Sequence, residues 1–374
     1  MCNNICQDNT EELQQLLDKC GDVFIESGKY IISNTLVIHD HTRLTLAHDT
    51  VIRLADGASC MMLKNDCCYK SGSNQHIIVE GGTWDGNNVA QTRGKLYPDK
   101  PYNMGVVMRF ENVFDLTVRD LTIKDPESYA MQFRFVDRFT VENITFDYNM
   151  KKLNMDGVHI NGPARNGVIR NIKGATNDDL VALNCDDGYD DGEEFIFTKG
   201  NIENITVDGL FADNGYTAVR LLSCGSAMRN ISIKNIFGTY RFNGISFTHH
   251  NIFPGEKSNF DNIFVENIFC AKPPKGFIID QKIIDVIDNG YGQGTHERVM
   301  KSDPIIWFEN GVHCGNVTIS GIGRTEEGET EAPTILIGQN AQIEHLVIKN
   351  AFQKFVNSPE VPLVVNHGTA NIDW

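Results

Sequence analysis

The chain has 374 residues, of which 41% are hydrophobic and 22% are charged, and its formal net charge is -16. This composition is typical of a folded protein. The negative charge argues against nucleic acid and membrane surfaces as partners, because binding to phosphates needs a basic patch. No apolar run reaches the roughly 18–20 residues that span a bilayer, and residues 1–13 show no signal peptide. We therefore expect a cytoplasmic protein, and the oligomeric state stays open.

The first predicted element is a helical cap over residues 1–22. Residues 9–12 read Asn-Thr-Glu-Glu, which is typical of a helix N-terminus, and three leucines between residues 13 and 17 give an apolar stripe. Gly21 ends the helix. Residues 23–54 then contain short runs of β-branched and aromatic residues separated by turn residues, which predict strands.

From residue 77 onward a short pattern repeats, in which apolar and polar residues alternate before a turn residue. The turn residues are Gly81, Asp120, Asn143, Asn171, Gly209, Asn235, Asn267, Gly321 and Asn350. Short alternating segments predict strands with one buried face, and a recurring period predicts a solenoid. No helical pattern of 10–15 residues separates the copies, which argues against βαβ units.

These features predict an all-β fold, a right-handed parallel β-helix in which each strand pairs with its copy one coil further on. Asn suits the turns because it tolerates left-handed backbone and its stacked side chains can hydrogen-bond along the axis. We expect one domain over residues 1–374, with coils from residue 23 and loop insertions near 88–104, 186–200 and 272–304. The long step from residue 267 to 321 holds either two coils or one insertion.

Two segments place acids just before a short apolar strand: Asn154-Met155-Asp156-Gly157 and Asn177-Asp178-Asp179. Asp156 and Asp178 are 22 residues apart, close to one coil, so the three carboxylates should share one face with backbones about 4.8 Å apart. Like charges this close raise the pKa of at least one acid. Glycosidic cleavage needs this pairing of a proton donor with a carboxylate that activates water. The competing interpretation is that these aspartates are ordinary turn residues.

These motifs resemble glycoside hydrolase family 28, the polygalacturonase group. The resemblance rests on Gly28-Lys29-Tyr30, on the run from Gly82 to Asn87, on Arg109-Phe110-Glu111-Asn112, and above all on N-M-D and N-D-D, which are similar to the family's N-T-D and G-D-D motifs. It implies a right-handed parallel β-helix and an inverting hydrolase. By the same match, Asp178 would be the general acid, and Asp156 and Asp179 would hold and deprotonate the attacking water.

Other positions depart from the family pattern. Tyr216 stands where the family has the His of its G-H-G motif, and Ser246 and Thr248 stand where it has the Arg and Lys of its R-I-K motif. A uronate carboxylate is best held by an Arg fork or a Lys point charge. We therefore expect a carbohydrate substrate other than plain polygalacturonate, with Arg220, on the same coil face, as the candidate replacement cation.

Five further residues are candidates for substrate contact. His159 is flanked by apolar residues and should point outward on the catalytic side, unless it is only a surface histidine. Gln132 lies one coil before Asp156. Tyr216 could stack on a sugar ring or simply pack. His249 and His250 could bind sugar hydroxyls or form a turn, and as neighbours pointing to opposite faces they make a poor metal site.

The densest acidic run covers residues 186–194. It offers the hard oxygen ligands that Ca²⁺ prefers, but it lacks the spacing of an EF-hand loop. We interpret it as a solvated insertion loop. The expectation is an enzyme without a metal or other cofactor.

The favoured function is hydrolysis of an O-glycosidic bond, and two alternatives remain. A polysaccharide lyase or epimerase could use the same scaffold, although those reactions need a basic residue or Ca²⁺ to stabilise an anion. A non-catalytic carbohydrate-binding or adhesin-like solenoid is the other.

Overall fold

A computed structural model describes residues 8–68, 70–91, 105–152, 154–190, 195–250, 255–273 and 303–374, without the side chains of residues 188–190 and 195–197. One α-helix, α1 (Thr10–Leu17), begins the described chain and buries Leu13 and Leu17 against the first coil, as the apolar stripe predicts. A 3₁₀ turn covers Asn88–Ala90. None of the described helices is long and apolar enough to span a bilayer.

The described chain forms 25 strands. The first twelve are β1 (Gly21–Ile25), β2 (Lys29–Ile32), β3 (Leu36–Ile38), β4 (Thr42–Leu46), β5 (Val51–Leu54), β6 (Leu63–Asn65), β7 (Asn74–Glu80), β8 (Thr83–Asp85), β9 (Met108–Lys124), β10 (Met131–Asp147), β11 (Val158–Lys173) and β12 (Asp179–Asn184). The remaining ones are β13 (Asp186–Asp190), β14 (Phe195–Lys199), β15 (Ile202–Gly215), β16 (Thr217–Leu222), β17 (Ala227–Tyr240), β18 (Ile245–Thr248), β19 (Asn259–Ala271), β20 (Ile306–Phe308), β21 (His313–Glu326), β22 (Ile335–Ile337), β23 (Gln342–Phe355), β24 (Val364–Asn366) and β25 (Thr369–Asp373).

Twenty-three of these strands form one parallel sheet, and each strand pairs with its copy one coil further on. The chain is thus a right-handed parallel β-helix, which confirms the predicted fold class. The exception among the described strands is a two-stranded antiparallel sheet, β13 with β14, inside the predicted insertion near 186–200.

Asparagines at the corners set the shape of each coil. Asn143, Asn171, Asn235, Asn267 and Asn350 all have φ between 53° and 59°, the left-handed region that Asn tolerates. Their side chains bond along the axis, for example from Asn171 Nδ2 to Asn143 Oδ1 at 2.6 Å and from Asn267 Nδ2 to Asn235 Oδ1 at 3.2 Å. The predicted Asn ladder is therefore present.

The core is a stack of β-branched side chains, one from each coil. The register aligns Val118, Val141, Ile169, Val207, Ile233, Val265, Ile319 and Ile348 in a single buried row. Each such side chain contributes about 1.5–3 kcal/mol when it is fully buried. Stacking identical shapes at the strand spacing fills the interior, which explains why the repeat favours Val and Ile at this position.

The long step between residues 267 and 321 is a single coil. β19 pairs directly with β21, placing Val265 beside Ile319, and β18 pairs with β20. The extra residues therefore form an insertion after β19, in the region predicted near 272–304. Most of that segment, residues 274–302, lies outside the described residues.

One face of the solenoid carries the candidate site. On this face β10, β11, β12, β16, β18 and β20 run side by side. The outward position on these strands is occupied in turn by Gln132, His159, Ala182, Arg220, Ser246 and Trp307. The residues that directly precede these strands lie along one edge of this face.

Candidate active site

The three predicted aspartates converge at one edge of this face. Asp156 lies two residues before β11, Asp179 is the first residue of β12, and Asp178 directly precedes it. One carboxylate oxygen from each lies within 4.8 Å of the other two. The exposed fraction is 1% for Asp156, 8% for Asp178 and 2% for Asp179, so Asp178 is the most accessible of three buried acids.

The register shows why the N-M-D and N-D-D motifs meet. Val158 pairs with Val181, and the Gly157 N–H donates to the carbonyl of Asp179, so Asp156 lies directly beside Asp179. The coil step here is 23 residues. Gly157 has no room for a side chain, because an added Cβ would collide with the carbonyl oxygen of Leu180 in the next coil.

His159 is completely buried and binds carboxylates of the protein. Its Nδ1 lies 2.5 Å from Oδ2 of Asp156, its Nε2 lies 3.2 Å from Oδ2 of Asp187, and its ring stacks on Tyr129 at 4.2 Å. Burial alone would lower the pKa of His159, but the hydrogen bonds to Asp156 and Asp187 outweigh it and raise that pKa to about 9. The imidazole is therefore a cation at neutral pH, and it holds Asp156 in place.

Arg220 supplies the second cation. Its Nε lies 2.8 Å from Oδ2 of Asp179, without a hydrogen bond aimed at that oxygen, so the contact is an ion pair. The pKa of Arg220 stays above its usual range, because the neighbouring carboxylates, Asp179 first, outweigh its burial. The predicted cation of this face thus contacts a candidate catalytic acid.

The acids nevertheless outnumber the cations. Burial, followed by repulsion from Asp178, raises the pKa of Asp156 although His159 lowers it. Burial likewise raises the pKa of Asp179 to about 8, against the opposing effect of Arg220. The cluster therefore retains at least one proton at neutral pH. In a group this tightly coupled, the proton belongs to the cluster rather than to one residue.

Tyr216 continues the row that Asp178 begins. Asp179 pairs with Thr217, and Val219 pairs with Ile245, so Tyr216 and Phe242 occupy the position of Asp178 in the next two coils.

The rings of Tyr216 and Phe242 stack at 5.2 Å, and Trp307 meets Phe242 edge-on at 5.8 Å. The pKa of Tyr216 is raised, first by burial and then by the negative charges of Asp178 and Asp179. The Tyr216 hydroxyl is therefore close enough to these acids to be affected by their charge.

Arg241 lies next to these aromatic side chains. Its guanidinium lies 5.9 Å from the Tyr216 ring centroid and donates to Asn177 Oδ1 at 2.9 Å. Sequence reasoning missed Arg241, Phe242 and Trp307. The first two lie in the turn before β18, and only the register with Tyr216 would have shown their place.

Gln132 lies on the other side of the cluster, one coil before His159. It is buried, and its Nε2 donates to Asn161 Oδ1 at 2.9 Å. One coil earlier, Arg109 and Glu111 form a buried ion pair at 2.8 Å. The face is thus polar before the aspartates and aromatic after them.

His249 and His250 follow β18 at its far end. The backbone N–H groups of both donate to Glu309 Oε2, His250 Nδ1 lies 3.3 Å from Glu309 Oε1, and His249 Nε2 lies 2.9 Å from the carbonyl of Glu256. Asn243 is the residue of this coil that lies level with Asp179, six residues before His249. These contacts form a turn cluster at the opposite end of the strand from the acids.

The acidic run does not act as one unit in its described part. Asp186 accepts from the backbone N–H groups of Cys224 and Ser226, and Asp187 contacts His159. Residues 191–194 lie outside the described residues. Within the described chain, the acids placed to share a metal ion are instead Asp156, Asp178 and Asp179, whose oxygens are the hard ligands that Ca²⁺ or Mg²⁺ prefers.

Comparison with known proteins gives a family match over the segment that contains the three aspartates. The model of "Glycosyl hydrolases family 28" matches residues 66–189, a segment that contains all three aspartates. No curated protein matches the chain by sequence.

Solved structures match along nearly the whole chain at low identity. The A-module of the Azotobacter vinelandii mannuronan C-5 epimerase AlgE4 aligns with a TM-score of 0.61 and 12% identity, covering 98% of this chain and 96% of that one. The endo-xylogalacturonan hydrolase from Aspergillus tubingensis gives 0.58 and 13%, covering 99% and 93%. The Streptococcus pneumoniae surface adhesin PfbA gives 0.55 and 14%, covering 98% and 90%. At this identity the likeness concerns the fold. The resemblance drawn from the motifs is thus confirmed: residues 66–189, which include the three aspartates, match the glycosyl hydrolases family 28 model, and the chain folds as a right-handed parallel β-helix.

Proposed function

We propose that the chain hydrolyses an O-glycosidic bond of an oligo- or polysaccharide. The carrying observation is that three buried carboxyl groups within 4.8 Å of one another lie inside the segment that matches the glycoside hydrolase family. Two of them have dedicated cations, and the cluster retains a proton. A site with a bound proton and ionised carboxylates has both groups that the reaction requires.

Asp178 is the proton donor in this proposal. It is the most exposed of the three acids and is therefore the best placed to reach a glycosidic oxygen. Its proton passes to that oxygen as the bond to the anomeric carbon breaks. The leaving sugar departs as an alcohol, and Asp178 is left as a carboxylate.

Asp156 and Asp179 activate the water. They are direct neighbours in the register. Asp156 Oδ1 is buried without accepting a hydrogen bond within the described chain, and Asp179 Oδ2 has only its ion pair with Arg220. A buried acceptor without a donor is costly, and a water between the two would donate to both oxygens. As this water attacks the anomeric carbon, it loses one proton to the pair.

We propose that the anomeric configuration inverts, as the family resemblance implies. In two-carboxylate enzymes, separations of about 5–5.5 Å accompany retention and about 6.5–9.5 Å accompany inversion. The nearest oxygens here lie within 4.8 Å, but three acids share the site, and two of them can hold the water between them. Proton NMR of the first product anomer separates the two outcomes, and a retained anomer would contradict the water-activating role of Asp156 and Asp179.

The test of the function is a screen of neutral and acidic sugar oligomers for new reducing ends. Asp178→Asn should lower kcat by about 10²–10⁴-fold on any cleaved substrate. The matched control is Asp373→Asn, an exposed aspartate in β25. Full turnover by Asp178→Asn would remove this residue from the mechanism.

A polysaccharide lyase or epimerase is the second candidate. The observation that favours it is the acid cluster itself, which offers three hard ligands for a divalent cation beside Arg220. The products discriminate, because a lyase leaves an unsaturated sugar that absorbs ultraviolet light, and an epimerase leaves the chain length unchanged. Hydrolysis produces neither result.

A further inference from the structure

A step of three aromatic residues, Tyr216, Phe242 and Trp307, leads away from Asp178 along the helix axis. Tyr216 and Phe242 hold the position of Asp178 in the next two coils, and the Phe242 N–H donates to the Tyr216 carbonyl at 3.0 Å. Trp307 stands on β20 beside Ser246, which is itself beside Arg220. Among these outward positions, the small Ser246 therefore lies between the Arg220 guanidinium, on the side of the acids, and the Trp307 indole ring.

The rings of this aromatic step form one continuous surface. Tyr216 is nearly buried and stacks under Phe242, with 26° between the ring planes, and Trp307 meets Phe242 at 65°. Phe242 and Trp307 remain partly exposed. Two partly exposed rings supported by a buried third, next to the candidate acids, make a preformed apolar contact for a ligand.

The cations around the aromatic step are bound to protein groups. Arg220 pairs with Asp179, and the Arg241 guanidinium donates to the Asn177 side chain and the Asn214 carbonyl. Lys272 Nζ donates to the backbone carbonyls of Phe242 and Arg241. In the described chain these three cations hold protein acceptors in place.

The acids near the aromatic step would repel an anionic ligand. Burial, followed by the charges of Asp178, Asp179 and Asp303, raises the pKa of Tyr216 against the opposing charge of Arg241. Burial first, followed by the charge of Arg324, lowers the pKa of Lys272 to about 7, so its positive charge is incomplete at neutral pH. A sugar carboxylate placed here would meet acids while the cations stay with their protein partners.

We propose that the aromatic step binds an uncharged sugar ring through the C–H groups of its apolar face, next to the bond that is cleaved. This inference rests on the proposed glycosidase function and names its substrate class: a neutral oligosaccharide, in preference to an oligouronate. Phe242 and Trp307 are then the residues that determine specificity, and Tyr216 supports them from below.

Binding is measured by titration calorimetry on Asp178→Asn, so that turnover does not interfere. Neutral and uronic tetrasaccharides of matched length are the probes. Phe242→Ala and Trp307→Ala are each introduced into this background. The control is Phe352→Ala, which truncates an exposed phenylalanine on β23, away from the acids. Thermal unfolding of each variant confirms that it is folded.

The proposal expects at least one neutral tetrasaccharide to bind at least tenfold more tightly than its uronic counterpart, and each aromatic truncation to weaken it about tenfold or more. Phe352→Ala should leave its affinity unchanged. Any of four results would overturn the inference: tighter binding of the uronic probe, an equal loss of affinity in Phe352→Ala, no loss of affinity in either aromatic truncation, or no binding of any probe. Release of reducing ends by the unmodified enzyme is recorded separately. Binding without cleavage refutes the hydrolase. Cleavage that Phe242→Ala and Trp307→Ala leave unaffected, when each is made in the otherwise unmodified enzyme, refutes the aromatic step.

Discussion

The ion pair between His159 and Asp156 makes a quantitative prediction. Replacing His159 by Gln keeps a side chain of similar reach but removes its charge. The hydrogen bonds to Asp156 and Asp187 raise the pKa of His159 to about 9, against an ordinary value of 6.5, although burial opposes them. A shift of about 2.5 units corresponds to roughly 3 kcal/mol of folding free energy.

The sign of this contribution follows from the direction of the shift. A histidine that binds its proton more tightly in the folded state stabilises the protein fully below pH 6.5. The contribution disappears as the pH rises through about 9. His159→Gln should therefore destabilise the protein by about 3 kcal/mol near pH 6 and by little above pH 9. For a chain of this length that is a Tm difference of about 4 °C.

Thermal unfolding of the variant and the unmodified protein at pH 6, 7.5 and 9, followed by circular dichroism, measures this difference. His345→Gln is the control, because His345 is exposed on β23. A Tm difference that is the same at all three pH values would refute the charge argument and would leave only packing against Tyr129. In activity assays, the acidic limb of the kcat/KM profile should move to higher pH, because Asp156 loses the cation that favours its ionised form.

Three further predictions follow from the same cluster. Asp178→Asn should leave Tm unchanged or raise it, because it removes one acid from a cluster with too few cations, while it abolishes most turnover; a large fall in Tm would show that Asp178 is structural. Arg220→Ala should cost about 3–5 kcal/mol in unfolding free energy at pH 9, because it leaves Asp179 buried and without its cation, and the loss should shrink at pH 6, where the acid cluster binds more protons and carries less negative charge. Dialysis against EDTA should not change hydrolysis, whereas activity that is lost with EDTA and restored by Ca²⁺ would favour the lyase or epimerase.

Much of the fold could be predicted because one coil repeats the next. The corner asparagines identified one ladder, and the alternation identified the buried face. A second ladder was not predicted, although its signal was visible: Asn166, Asn204, Asn230 and Asn262 each lie five residues before a turn position and bond along the axis at 3.0–3.3 Å. The sequence could not choose between two coils and one insertion for the 54-residue step, because that depends on which strands pair.

The site was predicted less completely than the fold. Alternation places His159 on the outward side of β11, and it is outward from the core. It is still completely buried, because Tyr129 covers its ring and Asp187, from a later coil, covers its Nε2. The alternation predicts which side chains point away from the core. Whether such a side chain is exposed to solvent depends on residues of the neighbouring coils. Substrate contact stays a prediction for all six candidates, which are Gln132, His159, Tyr216, Arg220, His249 and His250.

The positions where the chain departs from the family pattern have a common electrostatic consequence. By the motif resemblance, the three carboxylates are kept, while Ser246 and Thr248 stand where the family has the Arg and Lys that would grip a substrate acid. The cations near the acids instead point at the protein: His159 at Asp156, and Arg220 at Asp179. Because these cations are paired with acids of the protein, they are not available to bind an anionic sugar. Under the proposed function, the surroundings of the acids therefore favour a neutral sugar over an anionic one, because the cations are paired within the protein while Phe242 and Trp307 offer apolar contacts.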